Sequence, residues 1–223
     1  MVPLQSGDLI EGQIEKIAFG GEGILRHRGF VVFIPFTAPG DHLICRLTEV
    51  KKSFARGELI ELKKPSPDRI KPLCPYFGVC GGCQLQHINY KEQSKYKLEA
   101  VKEALSRIGH LAPDKVSFVP ANLRWAYRRH ITLHLRPVKK TFEAGYIAID
   151  NHSLVVVRTC PIFNRFKDPV LRQLQDFIQT IPNPEELEGR LTVLKNHRNQ
   201  YILHFQFAHH IELTDSLFNQ LLY

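Results

Sequence analysis

Four of the five cysteines in this chain are spaced for metal binding. Cys74, Cys80 and Cys83 form a C-x5-C-x2-C motif, and Cys160, which precedes Pro161, follows after 76 intervening residues. Thiolates are soft ligands that zinc and iron–sulfur clusters both accept. Three clustered thiolates plus a remote Cys-Pro are typical of a 4Fe-4S cluster, whereas structural zinc prefers two separated pairs. The spacing favours a 4Fe-4S cluster, with zinc and reduced core cysteines as the alternatives.

Small residues around the motif support the cluster interpretation. Gly78, Gly81 and Gly82 would let the backbone approach inorganic sulfide and direct amide N–H groups toward it. The fifth cysteine, Cys45, lies in the alternating segment HLICRL, where a buried thiol is favoured over a nucleophile.

The elements around these residues change character along the chain. Residues 8–63 read as short strands separated by Gly, Pro and charged turns, which predicts a small β-barrel. Four prolines follow within residues 65–75, so a boundary is expected near Lys64.

The second half of the chain predicts an α+β region. Apolar residues recur at helical spacing over residues 91–109, and Ile131, Leu133 and Leu135 alternate with polar residues as in a strand. Further strands are expected near residues 142–149, 153–157, 190–195 and 201–207, with a helix near 169–181. The terminal segment LTDSLFNQLLY also has the pattern of a capped helix.

Charge points to a polyanionic partner. The chain has 223 residues and a formal net charge of +8, and residues 71–140 carry 13 Lys and Arg against 4 Asp and Glu. A solvated surface is the simpler explanation of a basic stretch, so the motifs must decide. No apolar stretch approaches the roughly 20 residues of a membrane-spanning helix. A secretory signal is not recognisable either, so a cytoplasmic protein without a membrane partner is expected.

The run PSPDRIKPLCPYFGVCGGCQLQHINYKEQSKYKLEAVKEALSRIG resembles the RNA (uracil-5-)-methyltransferase family, most closely its RumA-like 23S ribosomal RNA branch. IEKIAFGGEGILRHRGFVVFIPFTAPGD is similar to a TRAM domain, RWAYRRHITLHL to the strand after the helix, and VVVRTCPIF to the segment with the fourth cluster ligand. The resemblance implies an OB-like, all-β TRAM barrel followed by an α+β central domain that carries the iron–sulfur site. The expected segments are a TRAM barrel at 1–64, a linker with the cluster motif at 65–89, a helical segment at 90–118 that packs on the catalytic domain, and a central domain, expected to be incomplete, at 119–223.

The resemblance also implies an activity: transfer of a methyl group from S-adenosylmethionine to carbon 5 of a uridine, by a cysteine nucleophile and a carboxylate base. Neither is recognisable in this sequence. Its G-x-G, Gly21-Glu22-Gly23, lies in a predicted turn without a βαβ unit. We therefore expect an N-terminal portion from which the Rossmann-like methyltransferase domain is absent, inactive alone, with S-adenosylmethionine bound only through the missing domain.

Cations near aromatic residues are the candidate RNA contacts, because they can neutralise phosphates and stack on unpaired bases. They are Arg26, Arg28, Lys51, Lys52, Phe54 and Arg56 in the barrel and Arg124, Arg128 and Arg129 beside Trp125 and Tyr127. Ordinary surface charge is the alternative for each cation, and a core position is the alternative for the two aromatics. Members of the family often have Arg after a Gly-aromatic pair, whereas in this chain Ile147 follows Gly145 and Tyr146. They also tend to have a third basic residue at the position that His130 occupies here.

Two functions follow from this sequence. The first is the RNA-binding, iron–sulfur-containing N-terminal region of an rRNA uracil-5-methyltransferase, and the second is a stand-alone RNA-binding iron–sulfur module without catalytic activity. Large-subunit ribosomal RNA is the expected partner, with transfer RNA as the alternative, and no protein partner can be inferred. The cluster is expected to be structural, with redox sensing as the alternative.

Overall fold

The computed structural model describes residues 4–164, 168–183 and 186–207. Their elements, in chain order, are β1 (Leu9–Gln13), β2 (Lys16–Ile17), β3 (Gly23–His27), β4 (Phe30–Ile34), β5 (His42–Val50), β6 (Phe54–Lys64), α1 (Tyr90–Arg107), β7 (His130–Val138), β8 (Thr141–Ile147), β9 (Leu154–Val156), α2 (Val170–Ile178), β10 (Gly189–Lys195) and β11 (Tyr201–Phe207). The predicted terminal helix lies outside the described residues. No helix within these ranges is long and apolar enough to cross a membrane.

The described residues form two compact units. One consists of the chain up to Pro72 together with Cys83–Ala121, and the other of Leu73–Gly82 together with the described residues from Asn122 onward. The cysteine motif therefore does not lie within one unit, because Cys74 and Cys80 belong to the second and Cys83 to the first.

The first unit is built on a six-stranded sheet in the order β1-β5-β6-β4-β3-β2. All neighbours are antiparallel except β4 and β6, which run parallel. The sheet curls until β1 approaches β3, where a Cβ on Gly12 would lie 2.8 Å from Leu25 Cδ1. Its core contains the buried aliphatic residues Ile10, Ile14, Leu25, Val32, Ile34, Leu43 and Leu47, with Cys45 and Ala55.

Helix α1 begins at the predicted place because Asn89 caps it. The Asn89 side-chain oxygen accepts a hydrogen bond from the backbone N–H of Glu92 at 3.1 Å. Tyr96 is the buried residue of the helix, beside Ile17, Ala38 and Ile88, whereas Val101 and Ile108 of the predicted apolar stripe are 39% and 82% exposed. Lys16 Nζ of β2 also lies 2.7 Å from Glu103 Oε2.

The second unit is an antiparallel sheet in the order β11-β10-β7-β8-β9, packed against α2. The predicted alternation is confirmed, because Ile131, Leu133 and Leu135 of β7 are buried. Gln175 of α2 joins the helix to the sheet, since its Nε2 donates to the carbonyl oxygens of Ala144 at 2.6 Å and Val157 at 3.0 Å.

Candidate nucleic-acid interface and cysteine site

Two hairpin tips of the first unit form the part of the candidate interface that we call the barrel end: residues 27–30 and 51–54. Residues 28–29 join β3 to β4, and both have positive φ, as a two-residue type I′ turn requires. Residues 51–53 join β5 to β6, where the Lys51 N–H donates to the Phe54 carbonyl at 2.8 Å. Because β4 and β6 run parallel, with Val31 opposite Phe54, the two tips lie side by side. The fold thus brings Arg28 beside Lys51 and Lys52, which lie more than twenty positions further along the chain.

The barrel cations differ in how far carboxylates compensate them. Arg26 Nε lies 3.3 Å from Glu15 Oε2, and Lys51 Nζ lies 2.6 Å from Glu49 Oε1. Arg56 is ion-paired with Glu22 and, at 3.9 Å, with Glu49. Arg28 and Lys52 are exposed at the barrel end and form no ion pair in the described part of the chain. These two side chains are therefore the best placed of the set to meet a phosphate.

An aromatic pair stands next to the barrel end. Phe54 is half-buried and meets Phe33 edge to face, with ring centroids 6.0 Å apart, and the Arg56 guanidinium lies 5.8 Å from the Phe33 ring. Sequence reasoning missed Phe33. The alternation in FVVFI, where Val32 and Ile34 are buried, could have shown that Phe33 points away from the core.

The second basic group, Arg124, Arg128 and Arg129, lies in the segment before β7 rather than within a strand. The backbone N–H of Arg128 donates to the Ile162 carbonyl at 2.8 Å, and the Arg129 guanidinium donates to the Asn196 carbonyl at 3.0 Å. All three arginines are exposed. Their neighbours Trp125 and Tyr127 are also exposed, at 36% and 50%, so neither is a core residue in this structure.

Two of the cysteines predicted to bind a metal, Cys80 and Cys160, lie near β8 of the second unit. Cys80 forms an isolated antiparallel bridge with Ala148, just beyond β8, and the Gly81 N–H donates to the Ile147 carbonyl at 3.0 Å. Tyr146 of β8 places its hydroxyl 3.9 Å from Cys160 Sγ. Burial, and then the electrostatic effect of Cys160, raise the pKa of Tyr146. The segment at Cys80 and the buried Cys160 are thus both positioned by β8.

These residues fit a cluster by type but not by arrangement. Thiolates are the donors that iron–sulfur clusters use, and the Gly82 N–H donates to Cys80 Sγ at 3.4 Å, as expected for an amide near a ligating sulfur. The Gly81 N–H is engaged by a carbonyl instead. Within the described ranges, no three side chains among Cys, His, Asp and Glu are grouped closely enough to hold a metal ion.

Cys45 has the environment predicted from its sequence. It is fully buried in the core of the first unit, and burial raises the pKa of its thiol to about 11. A thiol with so high a pKa is protonated at neutral pH and is a poor nucleophile.

Residues 4–60 of the first unit, which include the two cationic tips and all but the end of the curled sheet, form a TRAM domain, because the TRAM domain family matches them. Over nearly its whole length the chain is similar in sequence to RNA methyltransferases. It is 57% identical over 213 residues to an uncharacterized RNA methyltransferase of Protochlamydia amoebophila, covering 96% of this chain and 49% of that protein.

A more distant relative and a solved structure extend the comparison. A 23S rRNA (uracil(1939)-C(5))-methyltransferase of Shewanella sediminis is 31% identical to this chain, and the match covers 67% of this chain and 34% of that protein. The structure of the Pyrococcus abyssi tRNA (uracil-54, C5)-methyltransferase, in complex with S-adenosyl-L-homocysteine, matches with a TM-score of 0.65 and 25% identity. That match covers 94% of this chain and 48% of the solved chain. The chain thus spans about half the length of the first relative and of this structure.

These comparisons contradict the prediction of an RNA-binding part separate from the methyltransferase fold. Methyltransferase sequence matches 96% of this chain, and a methyltransferase structure matches 94% of it. The expectations of an absent methyltransferase domain, of an inactive chain and of a stand-alone RNA-binding module are therefore withdrawn. They rested on the lack of a recognisable cysteine nucleophile, carboxylate base and glycine-rich βαβ motif, and these sequence patterns were not sufficient grounds for them.

Proposed function

We propose that this protein is an S-adenosylmethionine-dependent RNA (uracil-5-)-methyltransferase that acts in the cytoplasm on large-subunit ribosomal RNA. The observation that carries the proposal is the match of nearly the whole chain to RNA methyltransferases, together with a TRAM domain. The rRNA uracil methyltransferase of Shewanella sediminis supports ribosomal RNA as the substrate. The bound S-adenosylmethionine would supply the methyl group for carbon 5 of the uridine.

The described residues contribute to this function by holding the RNA. A base must leave its stack before an enzyme can act on it, so the enzyme must bind the flanking nucleotides tightly. Arg28 and Lys52 of the barrel end would neutralise phosphates, and Phe54 with Phe33 would offer an aromatic surface to an unpaired base. Arg124, Arg128 and Arg129 would form a second contact.

Methyl transfer is tested by incubating the purified protein with S-adenosylmethionine carrying an isotopic label in its methyl group. Unmodified ribosomal RNA and unmodified transfer RNA are supplied in separate reactions. Labelled 5-methyluridine in digests of the ribosomal RNA, detected by mass spectrometry, is the expected result. Labelling of transfer RNA alone would overturn the substrate assignment, and labelling of neither RNA would overturn the proposed activity.

The RNA-contacting role of the barrel end is tested with two matched double variants. Arg28→Gln with Lys52→Gln removes two cations without carboxylate partners, and Arg26→Gln with Lys51→Gln removes two that are ion-paired. Measured by fluorescence anisotropy with a labelled RNA, the first pair should weaken binding by about tenfold, and the second by about threefold or less. Equal losses from both pairs would contradict the assignment.

We also propose that Cys74, Cys80, Cys83 and Cys160 bind a structural 4Fe-4S cluster, which would draw together thiols that the described part of the structure does not group. Support comes from the four thiol donors, the amide N–H directed at Cys80 and the burial of Cys160. Protein purified without oxygen should be brown, contain about four irons and four sulfides per chain, and lose both in Cys160→Ser. A colourless protein with one zinc ion would overturn this assignment. Reversible oxidation and reduction of the cluster that changes RNA affinity would favour redox sensing over a structural role.

A further inference from the structure

The sheet of the second unit has one covered face and one exposed face. The covered face carries Leu133, Leu135, Leu191 and Val193, which are buried, as are Leu171 and Leu174 of α2. The opposite face, which we call the open face, consists of outward side chains of β7, β10 and β11. They are His130, Thr132, His134, Arg136, Arg190, Thr192, Leu194, Ile202, His204 and Gln206. Side chains of this face are exposed or half-buried.

Strand register sets these side chains in rows across the open face. Arg190 of β10 lies between His134 and Gln206, and Thr192 lies between Thr132 and His204. Leu194 lies between His130 and Ile202. Directly opposed residues in a sheet have Cβ atoms about 5 Å apart, so each row is a continuous surface. The hydroxyls of Thr132 and Thr192 lie 3.5 Å from each other.

The charge of the open face depends on its histidines. On the described strands its charged residues are Arg136, which is opposite Glu143 of β8, and Arg190. Glu188, just before β10, also acts on His134. Two arginines against two carboxylates leave the face near neutrality while the three histidines are uncharged. Protonation of His130, His134 and His204 would add three positive charges to a surface that already has hydroxyl and amide donors.

We propose that the open face is an RNA-backbone-binding surface whose affinity increases when its histidines are protonated. The inference rests on the proposed function, because it takes RNA as the partner. A protonated imidazole donates from both nitrogens, and its hydrogen bonds to phosphate are charge-assisted. Folded proteins usually meet at an interface with an apolar centre, whereas the central row of the open face is polar, with Thr132, Thr192 and His204, and Leu194 and Ile202 lie at its His130 end. On the same side of the sheet, the apolar Ile147, Leu154 and Val156 lie beyond β7, on β8 and β9.

In the free protein the surroundings of His134 oppose its protonation, and a bound phosphate would favour it. Histidine side chains ordinarily titrate near pH 6.5, which is within reach of small pH changes. Burial, and then repulsion by Arg190 and Arg136, lower the pKa of His134, while Glu188 acts in the opposite direction. A phosphate seated beside His134 would favour its charged form, so RNA binding would take up protons. The affinity should then rise as the pH falls.

The test measures binding of fluorescent oligouridine by anisotropy between about pH 5.8 and 7.8, the range in which histidine titrates. Wild-type protein should bind at least about tenfold more tightly at the lower pH. The triple variant His130→Gln, His134→Gln and His204→Gln should bind with nearly constant affinity. The control variant His110→Gln with His152→Gln removes two exposed histidines that lie outside the open face, and it should keep the wild-type pH dependence.

The possible results separate this inference from the proposed function. Absence of RNA binding by the wild type at every pH would count against the proposed function itself. RNA binding whose pH dependence survives in the triple variant would overturn the open-face inference alone. NMR of the histidine rings gives a second readout: RNA should shift the resonances of the three histidines. If RNA leaves them unmoved and a high concentration of the protein itself shifts them, the face is a protein interface and the inference fails.

Discussion

At the scale of single residues, Asp41 joins the linker to the barrel. Its carboxylate is fully buried and accepts hydrogen bonds from the backbone N–H groups of Ala38 at 2.6 Å and Ser66 at 2.8 Å. It also accepts from Arg69, whose Nε and Nη2 lie 2.8 and 2.7 Å from its two oxygens. This arrangement ends the barrel and fixes the direction in which the chain leaves it.

Replacing Asp41 should therefore be costly. Asp41→Ala leaves Arg69 without its buried partner and two backbone donors without an acceptor, so the free energy of unfolding should fall by about 3–5 kcal/mol. Urea denaturation monitored by circular dichroism measures the loss. Glu58→Gln is the control, because its ion pair with Arg46 is exposed and should contribute less than about 1 kcal/mol. Similar losses in both variants would contradict the assigned role.

His87 predicts how the stability of the first unit depends on pH. Its Nε2 lies 3.1 Å from the Thr37 carbonyl, and burial, more than the opposing hydrogen bond, lowers its pKa below the ordinary value. Between its folded pKa and its unfolded pKa near 6.5, the unfolded chain binds a proton that the native protein does not. Above this range the contribution of the neutral His87 to the free energy of unfolding should be complete. This contribution should be lost as the pH decreases through the range.

Urea titrations at about pH 7.5 and 5.5 test this expectation. His87→Gln should lose part of the decrease seen in the wild type, because its side chain does not titrate. His152→Gln, which alters an exposed histidine, should retain the whole decrease. An identical pH dependence in all three proteins would show that His87 does not contribute.

Residue-scale reasoning from the sequence succeeded where a local pattern was enough. HLICRL predicted that Cys45 is buried, and the structure confirms it. The pairing of Asp41 with Arg69 was beyond reach, since 28 positions separate them and neither has a distinctive neighbour. Phe33 was missed because it became a candidate RNA contact only through its contact with Phe54, and the sequence does not show that the two rings meet.

At the scale of elements, alternation predicted strands and the direction of their side chains, but not which strands are neighbours. Strands were predicted near residues 190–195 and 201–207, and the structure pairs them as β10 and β11 across a short turn. The parallel pairing of β4 with β6 was not predicted, although it creates the barrel end by placing two distant tips side by side. The open face also depends on which strands are neighbours. The alternation in β7 predicts that His130 and His134 point outward, but only the pairing of β7 with β10 and of β10 with β11 places His204 on the same face.

Close packing of β8 against β9 makes an element-scale prediction. A Cβ on Gly145 would lie 2.3 Å from the Val155 carbonyl oxygen, and that atom belongs to the backbone and cannot move alone. Gly145→Ala should force β9 away from β8 and destabilise the second unit by about 1–3 kcal/mol. Hydrogen exchange should show the loss at Gly145 and Val156, which are paired. Gly20→Ala, where the added Cβ meets open space, should leave exchange unchanged, and protection retained in Gly145→Ala would refute the argument.

At the scale of the whole molecule, the formal net charge of +8 overstates the positive charge that is available to bind a nucleic acid. Carboxylates engage Arg26, Lys51 and Arg56 of the barrel, so the effective cations are fewer than the sequence suggests. The composition predicts a polyanionic partner. It does not show which cations are paired with carboxylates, because the ion pairs depend on how the strands are aligned with one another. The open face adds a component that the formal charge omits, since histidines are counted there as neutral.

The salt dependence of RNA binding measures this effective charge. Each cation that neutralises a phosphate of single-stranded RNA contributes roughly 0.7 to the slope of log affinity against log salt. If the three histidines of the open face become charged and contact phosphates, the slope at about pH 5.8 should be steeper than at pH 7.8 by up to roughly 2. Arg28→Gln with Lys52→Gln should instead reduce the slope by about 1.4 at both values of pH. A slope independent of pH would show that any gain in affinity on acidification does not come from new phosphate contacts, because neutralising phosphates must release counterions.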